Sequence, residues 1–533
     1  MADIVLGPIL YARPSTVEEW RFEVHVTVAG NDDAPPSEGP DFEVRNPSNV
    51  GVTVSTPQFV HEFEGHQVRI WGWSVSVARD AVDHPIYYQL NGKQYGPVAI
   101  PRRSTLPRFA FFSCNGFSDP ADVHKVQNPV LMWEDLMERH EIGLGTDSVD
   151  DLTGIHLLVG GGDQIYCDAL WQKPTLLRLS GHAAAQVSPD DRQHILGDYI
   201  AWYQKQWGHQ AMATAMSCIP AVMTWDDHDI FDGWGSHAEA LQSTDLHQAV
   251  FEAAKETFSV FQLGGQTNPL VTRGESHFLQ MLHLESEYQT ATMILPDLRG
   301  NRTRTQVLSE QQWADLTTTL SDFRASEDPR ESYLLLISGI PVVYRRTRAE
   351  WISAGGLEDD RRDQWEHGSR RNERTRLIHH LLDAIGPRDR AAVISGDVHV
   401  ASRGRIVSSL PGHRRDGVDS VIHQVTSSAI VHPEPKFLEW LGFTAASTDS
   451  PSVVGSGITT EVLEISPEEK YVRARNYVLG AFTAPVAAAP SGPTHQASTG
   501  ALWLQWIRET SEHGKAVAES IPEQLVVHGR ARS

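Results

Sequence analysis

The chain has 533 residues, enough for one large domain with a smaller one, or for three domains. Its hydrophobic content of 40%, with 15 Trp, 12 Tyr and 17 Phe, supports a sizeable core, and a net charge of −23 disfavours a general nucleic-acid binder or a protein of anionic membranes. Three cysteines, Cys114, Cys167 and Cys218, make no disulfide framework, and no apolar run approaches the ~20 residues that span a bilayer.

The first residues, "MADIVLGPILYARPSTVEEW", contain no basic segment followed by a long apolar one and no twin arginine, so a cytoplasmic location is expected. A secreted chain whose signal had been removed would read the same way. Residues 1–103 have strand character. "RFEVHVTVAG" alternates, and "VRIWGWSVSVAR" sets Trp71, Trp73, Val75 and Val77 on one face at period two. A polar, Pro-rich loop, "GNDDAPPSEGP", separates the two, and the segment reads as a small antiparallel sandwich domain. His61 and His66 within it read as surface or satisfied polar groups.

From about residue 105, apolar strands alternate with helices. "WEDLMERH", "DYIAWYQKQWGHQAMATAM" and "TDLHQAVFEAAKETFSVF" have helical spacing, and Ser309 with Gln312 has the form of a capping box. Ile378, Leu381, Leu382 and Ile385 mark one helix face, which Gly386-Pro387 should end. A linker is expected over 483–499, followed by a docked helix starting "ALWLQWIRET" within a C-terminal segment, 500–533. Residues 104–482 therefore read as a second, α/β domain.

Five apolar runs in this region end in polar clusters: "SCNG", "GGGDQIY", "DDHD", "SGIP" and "SGDVH". Layered α/β proteins build their sites where strand carboxyl ends open into one crevice. Asp163, Asp226, Asp227 and Asp397 with His228 and His399 form a carboxylate and imidazole set suited to metal. Cys114 and Tyr166 would add a thiolate and a phenolate, donors for a more Lewis-acidic ion such as Fe(III). Each residue alone has an ordinary structural role. Cys114 can be a small core side chain, Tyr166 a tethered core ring, and an aspartate of "DDHD" a helix cap. Asp397 and His399, two apart, would share one face of a strand. All of these readings would have to hold together at four strand ends. No P-loop, dinucleotide fingerprint, zinc-binding HExxH or GxSxG serine elbow is present.

"SC" after a strand, "GDQIY", "WDDHD", "LPDLRGNR" and "SGDVH", in this order along the chain, resemble the motifs of the alkaline phosphatase D (PhoD-like) metallophosphatases. The resemblance covers roughly residues 1–480, and calcineurin-like and purple acid phosphatases are broader relatives. It implies an α/β fold: a two-sheet αββα metallophosphatase sandwich preceded by a small N-terminal antiparallel β-sandwich domain. It implies an iron site of Cys114, Asp163, Tyr166 and His399, with Asp163 bridging to a second ion, often calcium. Zinc, manganese and magnesium stay open. Asp397 would hold that second ion with Asp226 or Asp227, His228 would lie near the phosphate, and Arg299 would contact it. Two departures stand out: the absent twin arginine, and "IFDGWGSH" where secreted members have an Asn-rich stretch, which makes Asp232 an alternative ligand. The expected activity is hydrolysis of a phosphoester by water attacking in line at a two-metal site, with His228 serving the leaving group. A phosphodiesterase or phospholipase-type activity, a nuclease and a non-catalytic binding protein are the alternatives.

Overall fold

A computed structural model describes residues 3–29, 39–143, 154–181, 186–274, 276–347, 364–385, 390–414, 417–484 and 500–528. Two large sheets dominate it, of twelve and ten strands. At the centre of the first, Phe109–Phe112, Leu157–Gly161 and Ala221–Thr224 run parallel. Their short, fully buried sequences, apolar but for Thr224, fit strands covered on both faces. The second sheet is centred on four parallel strands, Gln289–Pro296, Glu331–Ser338, Arg390–Ser395 and Ser420–Thr426.

The sheets pack against each other through one apolar cluster, in which Phe111, Val159 and Val222 of the first meet Met293, Leu335 and Ile394 of the second. Helices cover the outer faces. Trp133, Tyr203 and Phe258 join Phe112, Leu158 and Met223 on one side, and Leu316, Leu377 and Leu381 join Leu334 and Val393 on the other. Ser309 and Gln312 form the expected capping box of helix Glu310–Ala325. The long periodic segment around residue 200 is two helices, Pro189–Trp207 and Gln210–Cys218. Ile378, Leu381 and Leu382 are buried on helix Arg371–Ala384, while Gly386-Pro387 lies outside the described residues. Among the described residues no helix is long and apolar enough to cross a membrane.

Two expectations change. The N-terminal strands are continuous with the first large sheet: Ile4–Ala12 runs parallel to Ala221–Thr224, and Glu19–Ala29 and Val68–Ala78 extend the twelve-stranded sheet. Phe42–Arg45, His84–Leu90 and Lys93–Ile100 form a separate three-stranded sheet. The expected alternation is there, with Trp71, Trp73, Val75 and Val77 all buried. Period two gives the buried face but not the neighbouring strand. The C-terminal segment is not a helix: Ala501–Glu512 is a strand antiparallel to Asn476–Thr483, followed by Lys515–Ser520 and Leu525–His528. Leu502, Leu504 and Trp506 are its buried face, again at period two. Most of the expected 483–499 linker and of the 30–40 loop lies outside the described residues.

Candidate metal centre

The register between the central strands puts Gly160 opposite Phe112 and Gly161 opposite Thr224, so three strands of one sheet end level with one another. The turns that follow carry Cys114, Asp163 and the segment Asp226–His228. From the second sheet, Ser395 leads into Asp397 and His399. These residues converge into three groups whose ligand atoms lie within 4.8 Å of one another: Cys114, Asp163 and His399; Asp163, Asp227 and His228; Asp163, Asp226 and Asp397. Asp163 belongs to all three.

The backbone is bent to achieve this. Cys114, Asp163, Asp397 and His399 have φ of 52°, 56°, 75° and 50°, four of the ten left-handed non-glycine residues among those described. That conformation is costly for a side-chain-bearing residue and gathers where function requires it. It also corrects the expectation for Asp397 and His399, which lie in a turn beyond the strand. Gly162 has φ of 105°, and a Cβ there would stand 2.7 Å from that of Asp226, so the glycines turn the chain and keep two acidic loops in contact.

Asp229 ties these loops together. Its buried carboxylate accepts bonds from the backbone N–H of Asp163 at 2.9 Å, Asp226 at 2.8 Å and Ile165 at 3.0 Å, and from Gln262 Nε2 at 2.8 Å. Ser428 supports the other side: its Oγ donates to the Asp397 carbonyl at 2.7 Å, accepts from the His399 N–H at 2.9 Å and lies 3.2 Å from Cys114 Sγ. The Tyr166 hydroxyl is 3.2 Å from His399 Nε2. His228 Nδ1 lies 2.7 Å from Asp168 Oδ2, and its ring stacks on Tyr166 with centroids 4.3 Å apart.

The electrostatics are those of a site built around positive charge. Burial raises the pKa of Asp163 well above the ordinary range, and Cys114, Asp227 and Asp226 add to this against the opposing pull of His228. Burial, with His432 and His228 nearby, pushes His399 well below its usual value. Burial also raises the Cys114 thiol. For His228, burial opposes charge, but Asp168, Asp227 and Asp163 outweigh it and raise its pKa well above 6.5. Asp163 Oδ1 is buried and makes no hydrogen bond among the described residues. Among the described residues, four acids, a thiol and a phenol are buried together against only Arg299 and His228 as compensating cations, an imbalance that a bound cation would relieve.

The profile of the PhoD related phosphatase family matches residues 85–354. The chain belongs to this family. The matched segment contains Cys114, Asp163, Tyr166, Asp226–His228 and Arg299, while Asp397 and His399 lie beyond it and reach the site through the second sheet. An uncharacterized protein of Saccharomyces cerevisiae, YGR266W, is 24% identical in an alignment of 497 positions that covers 77% of this chain and 68% of the yeast protein. Among solved structures, one described as PhoD aligns at 13% identity with a TM-score of 0.47, covering 96% of this chain and 94% of its own. GAP50, described as the anchor in the inner membrane complex of Plasmodium, aligns at 10% identity with a TM-score of 0.37 over 80% and 90%.

Arg299 and Asp232 are placed differently from the other expected residues. Arg299 is wholly buried and turned toward acids rather than open space. Nε bonds Asp226 Oδ1, Nη2 bonds Asp227 Oδ1 at 3.2 Å, and Nη1 bonds the Trp234 carbonyl at 2.9 Å. Asp232 is 61% exposed, with Oδ1 4.0 Å from His228 Nε2, and belongs to none of the three groups. Asp226 and Asp227 both enter the site, in different groups. Cys167 packs in the helix-side core.

Four residues without an expected role also shape the site: Asp168, Asp229, Ser428 and His432, whose ring stacks on His399 at 3.7 Å. Asp168 and Asp229 lie inside or just beyond quoted motifs. Ser428 and His432 follow the carboxyl end of Ser420–Thr426, a sixth strand-end cluster whose "TSSAIVH" lacks an acid to mark it.

Proposed function

We propose that the protein is a metal-dependent phosphoester hydrolase, with residues 104–482 carrying the chemistry. Asp163 is the observation that carries this reading: one buried carboxylate is common to three groups of ligand-type side chains. The donors fit two unlike cations. Cys114, Tyr166 and His399 offer thiol, phenol and imidazole, the types that suit Fe(III). Asp226, Asp227 and Asp397 offer hard oxygens that suit calcium, and equally manganese or magnesium, with zinc also accommodated. When bound, such a pair lowers the pKa of water from 15.7 to about 7 and screens charge developing on the phosphoryl oxygens.

The chain's own residues supply the rest. Asp168 holds the His228 ring by Nδ1 and favours its protonated form, so His228 is suited to give a proton to the leaving-group oxygen. Tyr166, stacked on that ring, fixes its plane. Arg299 takes a positioning role: its guanidinium sets Asp226 and Asp227 and offsets their charge, in place of the phosphate contact that the family resemblance implies.

Metal analysis of the freshly purified, unreduced protein is the first test, together with turnover of nitrophenyl phosphate and bis-nitrophenyl phosphate. We expect bound iron with a visible band from the Tyr166 phenolate, and hydrolysis of at least one ester. Asp163→Asn removes the shared charge and should abolish turnover. Full activity in Asp163→Asn would refute the shared-carboxylate reading.

A further inference from the structure

A cavity of about 310 Å³ lies against the candidate centre, and Tyr166 is its shared wall. The hydroxyl of Tyr166 faces His399 at 3.2 Å, and the residue lines the cavity with Phe117, Val130, Trp133, Trp202 and Val431. Gly116 makes this placement possible, since a Cβ there would stand 2.5 Å from Tyr166 Cδ2. The other wall segments continue from the site as well: Asn115 and Gly116 follow Cys114, and Val431 precedes His432, which stacks on His399.

The indoles and Asn115 have their polar atoms engaged, and the remaining polar groups of the lining, Lys205, Gln206 and His209, are grouped on one side, with Lys205 Nζ 4.7 Å from the centre of the Trp202 ring. Trp133 Nε1 donates to Asn115 Oδ1 at 2.8 Å, Asn115 Nδ2 donates to the Gln164 carbonyl at 3.2 Å, and Trp202 Nε1 donates to the Tyr166 carbonyl at 2.6 Å. The indoles therefore present ring carbon to the cavity. A polar occupant would lose its hydration and find few donors or acceptors in return, whereas an apolar one gains from leaving water. The volume lies at the lower end for small-molecule pockets, about 300–1,000 Å³, room for an aryl ring or a short alkyl chain.

We infer that this cavity receives the alcohol portion of the substrate, and that the preferred substrates are phosphoesters of apolar aryl or short-chain alkyl alcohols. The inference rests on the hydrolase reading for where phosphorus sits. Tyr166 is then a wall common to the candidate centre and to the cavity that takes the apolar group.

The test measures binding and turnover separately on the metal-loaded full chain. Calorimetric titration with n-alkylphosphonates of two to eight carbons should show Kd falling by roughly fourfold per methylene until the cavity fills. The heat-capacity change should become more negative with each methylene. Turnover of n-alkyl phosphates should show the same trend in kcat/KM. Val130→Trp, which fills the cavity, should remove the chain-length dependence yet leave ethylphosphonate binding within twofold. Phe117→Ala, which enlarges it, should shift the optimum to longer chains and serves if Val130→Trp fails to fold. A Kd independent of chain length in the wild type, or a dependence unchanged in a folded variant, overturns the inference. Graded phosphonate binding with no hydrolysis of any phosphoester would overturn the hydrolase reading and leave the pocket assignment standing.

Discussion

Asp229 makes four hydrogen bonds as an acceptor and holds the turns of Asp163 and Asp226 in register. Burial raises its pKa to about 7, against the pull of those donors, so it is poorly stabilised as a charge and well stabilised as a scaffold. An amide replaces one acceptor oxygen with a donor that faces N–H groups. Asp229→Asn should therefore weaken metal retention and lower kcat/KM by about 10–100-fold, the usual cost of losing a partner that orients ligands. Metal content after dialysis, measured beside activity, checks this.

His156 shows the opposite use of a buried ionisable group. Its Nδ1 accepts the Arg108 backbone N–H at 3.0 Å, and burial, with the Arg108 charge, lowers its pKa from 6.5 to about 4 against the pull of Asp83. The unfolded chain takes up this proton first as pH falls. The stability contribution is complete above about pH 6.5 and is lost progressively toward pH 4, by roughly 3 kcal/mol for this residue at most. Urea unfolding at several pH values should show that loss, and His156→Gln, which keeps an acceptor but cannot titrate, should flatten it.

At the level of elements, the sequence is legible where a strand ends in chemistry. "IHLLV" followed by glycines and Asp163, and "RAAVI" followed by Asp397 and His399, mark both the strands and the site, because ligand-type residues recur at several strand ends together while one such acid alone is ordinary. Pairing is not legible. Nothing in Ile4–Ala12 indicates that Tyr11 stands beside Ala221, since the two meet only in the folded sheet. His432 is hidden for the same reason: its stack on His399 comes from loop packing. The orientation of Arg299 is likewise a product of the fold, since a guanidinium suits a carboxylate as well as a phosphate. The terminal strand was obscured because "ALWLQWIRET" satisfies helical and alternating patterns over a short run. Trp506 shows what that strand does: it is buried, and its Nε1 bonds the Thr426 carbonyl at 3.1 Å, joining one large sheet to the other. Trp506→Ala should cost about 3–5 kcal/mol in denaturant unfolding. A loss below 1 kcal/mol would mean the strand adds little to the core.

Across the whole molecule, the candidate centre combines cation-binding chemistry with a chain of net charge −23. A substrate phosphate approaching from beyond a Debye length meets the repulsion of the entire surface before it meets the site. Salt screens that long-range term far more than the short-range contacts, because the Debye length falls from about 30 Å at 0.01 M to about 8 Å at 0.15 M. In a chloride salt that supplies no competing metal, kcat/KM should rise over this range, more steeply for a dianionic monoester than for a monoanionic diester. The rise should appear in kcat/KM and not in kcat, because encounter is the step that senses the distant charge. A fall with salt would place a locally positive cleft at the site despite the acidic total, and would restore polyanions, nucleic acid included, as substrates to be tested.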